Sequence, residues 1–153
     1  MDIRQLRVGN LVTTNGKPAG TRKGGIYKVL DTNSANRLDE LGLVGDATLE
    51  ILDGEYRTTV GAWVDYLEPI EITDEILEII GFYELEYCLA FNLNKYEIYI
   101  TSYDIPVLSI YDDNGMEISK SNLVSESFYL HTLQNLIFDI TGLDLNVDNL
   151  ITK

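Results

Sequence analysis

Glu84-Leu-Glu-Tyr-Cys-Leu-Ala-Phe-Asn-Leu93 carries the clearest periodicity in the chain. Large apolar side chains occupy every second position from Leu85 onward, which is the period of a β-strand with one packed face, so we predict one strand here. The short polar segments that follow are typical of tight turns between antiparallel strands. The region therefore predicts an antiparallel β-meander. Its later strands are predicted at 96–103, 107–111 and 116–119, with turns at Asn94-Lys95 and Asp113-Asn-Gly115.

A short helix is predicted before this meander, over 74–80. Thr73 is a good N-cap, the acids of the first turn suit the positive end of the helix dipole, and Gly81 is a typical C-terminal glycine. The residues predicted to be buried are Ile76, Leu77, Ile79 and Ile80.

A longer helix is predicted after the meander, capped by Ser125 or Ser127 and ending at Gly142. Its apolar side chains recur at helical spacing, so it should lie across the sheet. The predicted buried stripe consists of Tyr129, Leu133, Leu136, Ile137 and Ile140.

The first 68 residues contain short β-rich segments separated by turn signals such as Asn15-Gly16 and Asp53-Gly54. Four or five short strands in so few residues predict a small SH3-like barrel. We therefore predict an α+β protein with an N-terminal SH3-like β-barrel module at 1–68. The short helix, the meander and the C-terminal helix would form the second region, at 69–153. This region would either be one compact unit with the first module or be separate from it. The predicted strands of the barrel include 11–14, 26–30, 48–52 and 56–60.

Composition excludes several classes of protein. A chain of 153 residues with 45% hydrophobic residues can bury a sizeable core, which argues against disorder and against a disulfide-stapled miniprotein. The net charge is -14, and residues 61–153 carry all of it, because they hold 17 acids and 3 bases while residues 1–60 hold 8 of each. Nucleic acid would be repelled by the acidic part, whereas an anion could be met near the N-terminus, provided that the two charged regions stay apart after folding.

Residues 16–25 form the one loop whose composition suits an anion, since its glycines let backbone amides approach and its cations supply charge. No Ser or Thr follows the last glycine, so it is not a Walker loop. A plain hairpin loop is the alternative interpretation. The candidate ligand-binding cations are Lys17, Arg22, Lys23 and Lys28.

His131, Gln134 and Asn135 lie together on a second face of the C-terminal helix, away from its apolar stripe. Such side chains could bind a ligand through directed hydrogen bonds, or they could satisfy backbone groups where the helix packs on the N-terminal module. We include these three residues in the candidate ligand site and leave both readings open.

Seven of the ten tyrosines lie between Tyr83 and Tyr129, within the acidic part of the chain. Tyrosines and carboxylates on a sheet face could bind a protein or imitate the surface of nucleic acid. Cross-strand tyrosine pairs that stabilise the sheet are the alternative. The candidate protein-binding residues are Glu84, Glu86, Tyr99, Tyr103, Asp112 and Asp113.

No catalytic residue, metal ligand or cofactor is assigned. Cys88 and His131 could form a nucleophile and base, but no local signature supports this hydrolase reading. One cysteine and one histidine are too few for a zinc site. Residues 112–117 resemble a calcium loop only superficially, because Ile110 would fall where the first carboxylate ligand is needed.

Three segments occur together along the chain: Leu6-Arg-Val-Gly-Asn-Leu-Val12, Pro69-Ile-Glu-Ile-Thr-Asp-Glu-Ile-Leu77 with Gly81-Phe82, and Leu130-His-Thr-Leu-Gln-Asn-Leu136 with Phe138 and Thr141-Gly142. In order and spacing they resemble a group of uncharacterised small proteins that bacteriophages and mobile elements commonly encode. The resemblance implies that His131, Gln134 and Asn135 belong to a recurring signature and that Gly9-Asn10 forms the turn that leads into the barrel. Asp139 departs from the group, in which this position is usually small. No activity is implied.

We therefore expect a non-enzymatic accessory protein of a bacteriophage or mobile element, in the cytoplasm of the bacterial host. It would bind a host or virion protein through its acidic, tyrosine-rich half, and counter-defence by mimicry of nucleic acid falls within this expectation. The first alternative is a module that sequesters a nucleotide-like anionic ligand, and the second is a Cys-dependent hydrolase. No membrane contact is expected, and nucleic acid is a disfavoured partner.

Overall fold

The computed structural model is a mixed α+β fold with two antiparallel sheets of five strands each. It describes residues 1–32, 45–53, 55–101, 105–123 and 128–152. The first sheet has the order β4-β3-β2-β1-β5, and the second has the order β10-β9-β8-β7-β6. The strands of the first sheet are β1 (Leu11–Asn15), β2 (Lys23–Asp31), β3 (Ala47–Asp53), β4 (Tyr56–Ala62) and β5 (Leu67–Glu68). Those of the second are β6 (Tyr83–Leu85), β7 (Cys88–Leu93), β8 (Tyr96–Thr101), β9 (Val107–Tyr111) and β10 (Glu117–Asn122).

Two α-helices accompany the sheets within the described residues, α1 (Asp74–Ile80) and α2 (Leu130–Thr141). Single 3₁₀ turns lie at Ile3–Gln5, Val64–Tyr66 and Asp148–Leu150. The α+β class and the antiparallel meander are confirmed.

The first sheet contains the short strands that the sequence predicts. Its strands β1 to β4 are sequential antiparallel neighbours, and β5 returns to pair with β1. Within the described ranges no ladder joins β4 to β5, so the pairing does not close into a ring. Gly16, with a φ of +83°, takes the chain out of β1 in a conformation that a side chain would strain.

The helix α1 has the predicted bounds, because its end signals are local. Thr73 Oγ1 accepts a hydrogen bond from the Ile76 amide at 3.3 Å, and Gly81 ends the helix with a φ of +113°. Leu77 and Ile80 are buried as predicted. The prediction for Ile79 is wrong, since half of its surface is exposed: a two-turn helix packs one stripe, and Ile79 lies beside it.

The single strand predicted over 84–93 is wrong. Leu85 pairs with Cys88, so Glu86 and Tyr87 form the turn of a hairpin between β6 and β7. Residues directly opposite in a hairpin share a face, which places Leu85 on the face opposite Leu89 although the sequence alternates without a break. Leu85 is consequently exposed.

The predicted start of the second helix is also wrong. The helix α2 begins at Leu130, and Tyr129 precedes it in an extended conformation. This segment pairs with the chain before α1: Tyr129 forms a bridge with Glu71, and the Leu130 amide donates to the Ile70 carbonyl at 2.9 Å. Because the pairing needs extended backbone, the helix cannot start earlier. The proposed caps Ser125 and Ser127 lie outside the described residues, while Gly142 ends the helix as predicted.

One hydrophobic core joins the two sheets. It contains the inner face of the second sheet, residues of both helices and Leu11 of β1. The C-terminal segment closes it, since Val147 and Ile151 are buried and the Thr152 amide donates to the Ile26 carbonyl at 2.9 Å. A smaller core lies within the first sheet, around Leu49 and Tyr27. On the outer face of the second sheet, Asn92, Glu97 and Glu117 are exposed, Tyr99 and Tyr111 are partly exposed, and the small residues Ala90 and Ser109 are buried.

Candidate functional site

The outer face of the second sheet carries two adjacent rows of side chains, because residues paired across antiparallel strands share a face. One row contains Tyr83, Ala90, Tyr99, Ser109 and the exposed Lys120, and the other contains Asn92, Glu97, Tyr111 and Glu117. The neighbouring side chains on the central strands β7, β8 and β9 point into the core instead, among them Leu89, Ile98, Ile100, Leu108 and Ile110. We define the tyrosine face as Tyr83, Asn92, Glu97, Tyr99, Tyr111 and Glu117.

Phenol-to-carboxylate hydrogen bonds organise the tyrosine face. Tyr99 Oη donates to Glu97 Oε2 at 2.9 Å, and Tyr111 Oη donates to Glu117 Oε2 at 2.8 Å. The two rings meet edge to face with 5.6 Å between their centroids, a favourable geometry for aromatic pairs. The bond to Glu97 raises the pKa of Tyr99 to about 12, and the bond to Glu117 raises the pKa of Tyr111. Both phenols therefore stay neutral and hold their rings in place.

The structure separates the predicted protein-binding residues. Tyr99 belongs to the tyrosine face, and Tyr103 lies outside the described residues. Glu84 pairs with Leu89 at the edge of the sheet and thus belongs to the opposite side. Glu86 lies in the β6–β7 turn, where it accepts a hydrogen bond from the Tyr87 phenol that raises the pKa of Tyr87.

Asp112 and Asp113 lie in the turn between β9 and β10, beside Glu97. Asp112 Oδ1 accepts the amides of Met116 and Asn114, each at 2.9 Å. These bonds, the one from Met116 foremost, hold the pKa of Asp112 below its usual value. Asp112 therefore stabilises the turn, and the exposed Asp113 carries a charge that a partner could reach.

Sequence reasoning missed Tyr83, Glu97, Tyr111 and Glu117 as members of this surface. The sequence could have placed Glu97 beside Tyr99, because the two residues are two positions apart and share a face in any strand. The remainder depends on strand register, which brings Tyr111 beside Glu97 and Glu117 beside Tyr111.

The predicted basic loop borders a cleft on the first sheet, with a volume of about 930 Å³. Lys17 and Arg22 line it, together with three aromatic residues. Lys17 Nζ lies 5.0 Å from the centroid of the Tyr66 ring. We define the aromatic cleft by its cations and rings: Lys17, Arg22, Tyr27, Trp63 and Tyr66.

The other predicted cations are placed differently. Lys23 is exposed at the start of β2, and Lys28 forms an ion pair with Asp148 of the C-terminal segment. Arg7 pairs with Asp144 at 2.8 Å. Two early cations are thus neutralised by late aspartates, so the charge separation expected from the sequence is incomplete.

Gln134 and Asn135 contact the N-terminal segment rather than the aromatic cleft. Gln134 Oε1 accepts the Leu11 amide at 3.1 Å, and its Nε2 donates to the Gly9 carbonyl at 3.0 Å. Asn135 Oδ1 accepts from Asn10 Nδ2 at 2.9 Å. These side chains were predicted either to bind a ligand or to pack on the N-terminal module. The hydrogen bonds correspond to packing between α2 and the N-terminal module.

His131 is buried beside Gln134 on α2, with 3% of its surface exposed. Its ring stacks on Tyr129 with 5.9 Å between centroids, and in the described part of the structure its Nδ1 has no hydrogen-bond partner. Burial lowers the pKa of His131, and the positive N-terminus lowers it further. The ring is therefore neutral at pH 7.

The structure does not bring Cys88 and His131 together. Cys88 pairs with Thr101 and points to the outer face of the second sheet, whereas α2 packs on the inner face. A nucleophile and its base need hydrogen-bond contact. The hydrolase reading therefore gains no support from the geometry.

The described residues contain no group of three or more potential ligands that could hold a metal ion. No helix in that part of the chain is both long and apolar enough to cross a membrane. Comparison with protein-family models, with curated proteins and with solved structures gave no match.

Proposed function

We propose that this chain is a non-enzymatic accessory protein of a bacteriophage or mobile element that binds a basic surface of a host or virion protein through the tyrosine face. The observation that carries the proposal is the pair of bonds from Tyr99 to Glu97 and from Tyr111 to Glu117 on an exposed sheet face. The phage context rests on the resemblance of the three sequence segments.

The chemistry of the face suits protein recognition. Tyrosine rings supply large contact area at a low entropy cost, and here their phenols are already fixed by carboxylates. Glu97 and Glu117 accept these bonds through one carboxyl oxygen each. A partner with exposed Lys or Arg would therefore find both stacking surfaces and ion-pair acceptors.

The net charge favours a basic partner as well. The second half of the chain carries the whole excess of -14, and such a field accelerates encounter with a positive surface. Proteins that bind nucleic acid present such surfaces. The proposal therefore includes counter-defence, in which the acidic face competes with nucleic acid for its binding protein.

In this proposal the first sheet is an SH3-like module that packs with the second sheet, which carries the tyrosine face. The sequential order β1 to β4, the return of β5 to β1 and the 3₁₀ turn Val64–Tyr66 just before β5 support this assignment. Fold alone implies no function, so the binding role is argued from the tyrosine face.

The test is a charge-neutralised face, Glu97→Gln/Asp113→Asn/Glu117→Gln. The matched control, Glu75→Gln/Glu78→Gln/Asp139→Asn, removes three exposed helix acids and changes the net charge equally. A partner is isolated with the wild-type chain from bacterial host lysate, and its Kd is measured against salt. We expect the face variant to bind roughly tenfold more weakly, with a flatter salt dependence, and the control to change little. Equal weakening in both variants would show that net charge rather than the face is responsible.

A further inference from the structure

We propose that the aromatic cleft binds a mononucleotide, whose base stacks on Trp63 and whose phosphate is held by Lys17 and Arg22. The cleft lies on the first sheet, so this inference is independent of the tyrosine face. It rests on the shape of the cleft, its aromatic walls and the placement of its charges.

The loop that forms one wall is held by hydrogen bonds. Thr21 Oγ1 donates to the Pro18 carbonyl at 2.7 Å, and Thr14 Oγ1 donates to the Arg22 carbonyl at 3.1 Å. The Arg22 amide donates to Tyr27 Oη at 2.8 Å. A wall fixed in this way needs little ordering when a ligand binds, which favours affinity.

Glycine lets the loop and the Tyr27 ring fit together. A Cβ at Gly25 would lie 2.6 Å from Tyr27 Oη, closer than the two atoms could approach. Any side chain at this position would displace the ring from the cleft wall. Gly25, one of the glycines that suggested an anion loop, therefore helps to shape the cleft.

Trp63 is the surface for stacking. Trp63 is 45% exposed although tryptophan is usually well buried, and it lines the cleft. Bases stack on exposed aromatic rings with roughly 1–3 kcal/mol per base. Lys17, above the Tyr66 ring, supplies positive charge within the same cleft.

Size and charge point to a mononucleotide rather than to a nucleic-acid strand. The cleft is open to solvent, and its volume of about 930 Å³ leaves room for a mononucleotide. Lys17 and Arg22 are basic residues of the cleft lining, and Asp53 is the one acid among the described lining residues. A longer polyanion would extend toward a chain with a net charge of -14.

The test uses intrinsic fluorescence, because Trp63 is the single tryptophan of the chain. The wild-type protein is titrated with purine and pyrimidine nucleoside monophosphates, with the corresponding nucleosides, with inorganic phosphate and with a short single-stranded oligonucleotide. We expect quenching by at least one monophosphate, with a Kd at least about tenfold lower than that of its nucleoside or of phosphate, since both halves of the ligand contribute.

Two variants test the roles of Lys17 and Trp63 in nucleotide binding. Lys17→Gln should weaken binding of that monophosphate by about tenfold, and Trp63→Ala, measured by calorimetry, should do the same. Lys23→Gln is the matched control, since it removes an exposed lysine nearby that does not belong to the described cleft lining. Circular dichroism checks that each variant is folded. The inference is overturned if no monophosphate binds below about 1 mM, if Lys17→Gln and Lys23→Gln behave alike, or if the oligonucleotide binds more tightly than every monophosphate.

Discussion

Replacing Gln134 by methionine should lower the free energy of unfolding by about 3 kcal/mol. Methionine has a similar length and fills the same space, so the change removes hydrogen bonds with little loss of packing. Gln134 bonds to the Leu11 amide and to the Gly9 carbonyl, and both belong to the segment that leads into β1.

The magnitude follows from the burial of those two backbone groups. Leu11 is completely buried, so its amide would lose its acceptor with no access to water, at a cost of about 1–3 kcal/mol. Gly9 is partly exposed, and its carbonyl can be hydrated, so the loss there is nearer the net value of one hydrogen bond, about 0.5–1.5 kcal/mol. The sum is about 3 kcal/mol, or a fall in Tm of about 6–12 °C for a protein of this size.

Urea denaturation followed by circular dichroism measures the difference. Asp139→Ala, an exposed change on the same helix, is the control and should stay within about 0.5 kcal/mol of the wild type. A Gln134→Met variant as stable as this control would mean that the Leu11 amide finds another acceptor. The reasoning that Gln134 joins α2 to the first sheet would then be refuted.

Two further changes test buried and terminal groups. Burial lowers the pKa of His131 below 6.5, so the unfolded chain binds a proton at a higher pH than the folded chain does. The free energy of unfolding is therefore unaffected by this group above pH 6.5 and falls as the pH decreases below it, by at most about 1.4 kcal/mol per pH unit. His131→Leu should flatten this part of the pH dependence of unfolding, and an unchanged slope would contradict the prediction. Thr73→Ala should destabilise the fold by about 1 kcal/mol in urea denaturation, since the Ile76 amide loses its cap, whereas Thr73→Ser should restore most of the stability.

Local signals in the sequence predict the fold where they act without tertiary help. The bounds of α1 follow from Thr73 and Gly81, which cap the helix by contacts within one turn. The start of α2 cannot be predicted from local signals, because Tyr129 and Leu130 pair with a segment nearly sixty residues earlier. That pairing keeps the backbone extended up to Tyr129, whichever serine nearby could act as an N-cap. The hairpin at Glu86-Tyr87 is missed for a related reason: a period of two looks alike in one strand and in two strands joined by a short turn.

The candidate surfaces could also be predicted only in part, because they combine residues that are distant in the sequence. The basic loop and its glycines could be recognised from the sequence, but Trp63 enters the cleft through the return of the chain from β4 to β5. The face of α2 that carries Gln134 and Asn135 could be predicted from helical spacing. Its partner, the segment around Gly9, is more than 120 residues away, and no sequence period connects the two.

Two early cations form ion pairs away from the tyrosine face in the folded chain. Arg7 and Lys28 pair with Asp144 and Asp148, which lie in the C-terminal segment and not on the sheet. Within the described residues, Glu97 and Glu117 are bonded to phenols, which orient the carboxylates without cancelling their charge. Folding therefore uses these two cations to attach the C-terminal segment to the first sheet, while Lys120 of β10, opposite Ser109, lies on the same outer face as Glu97 and Glu117.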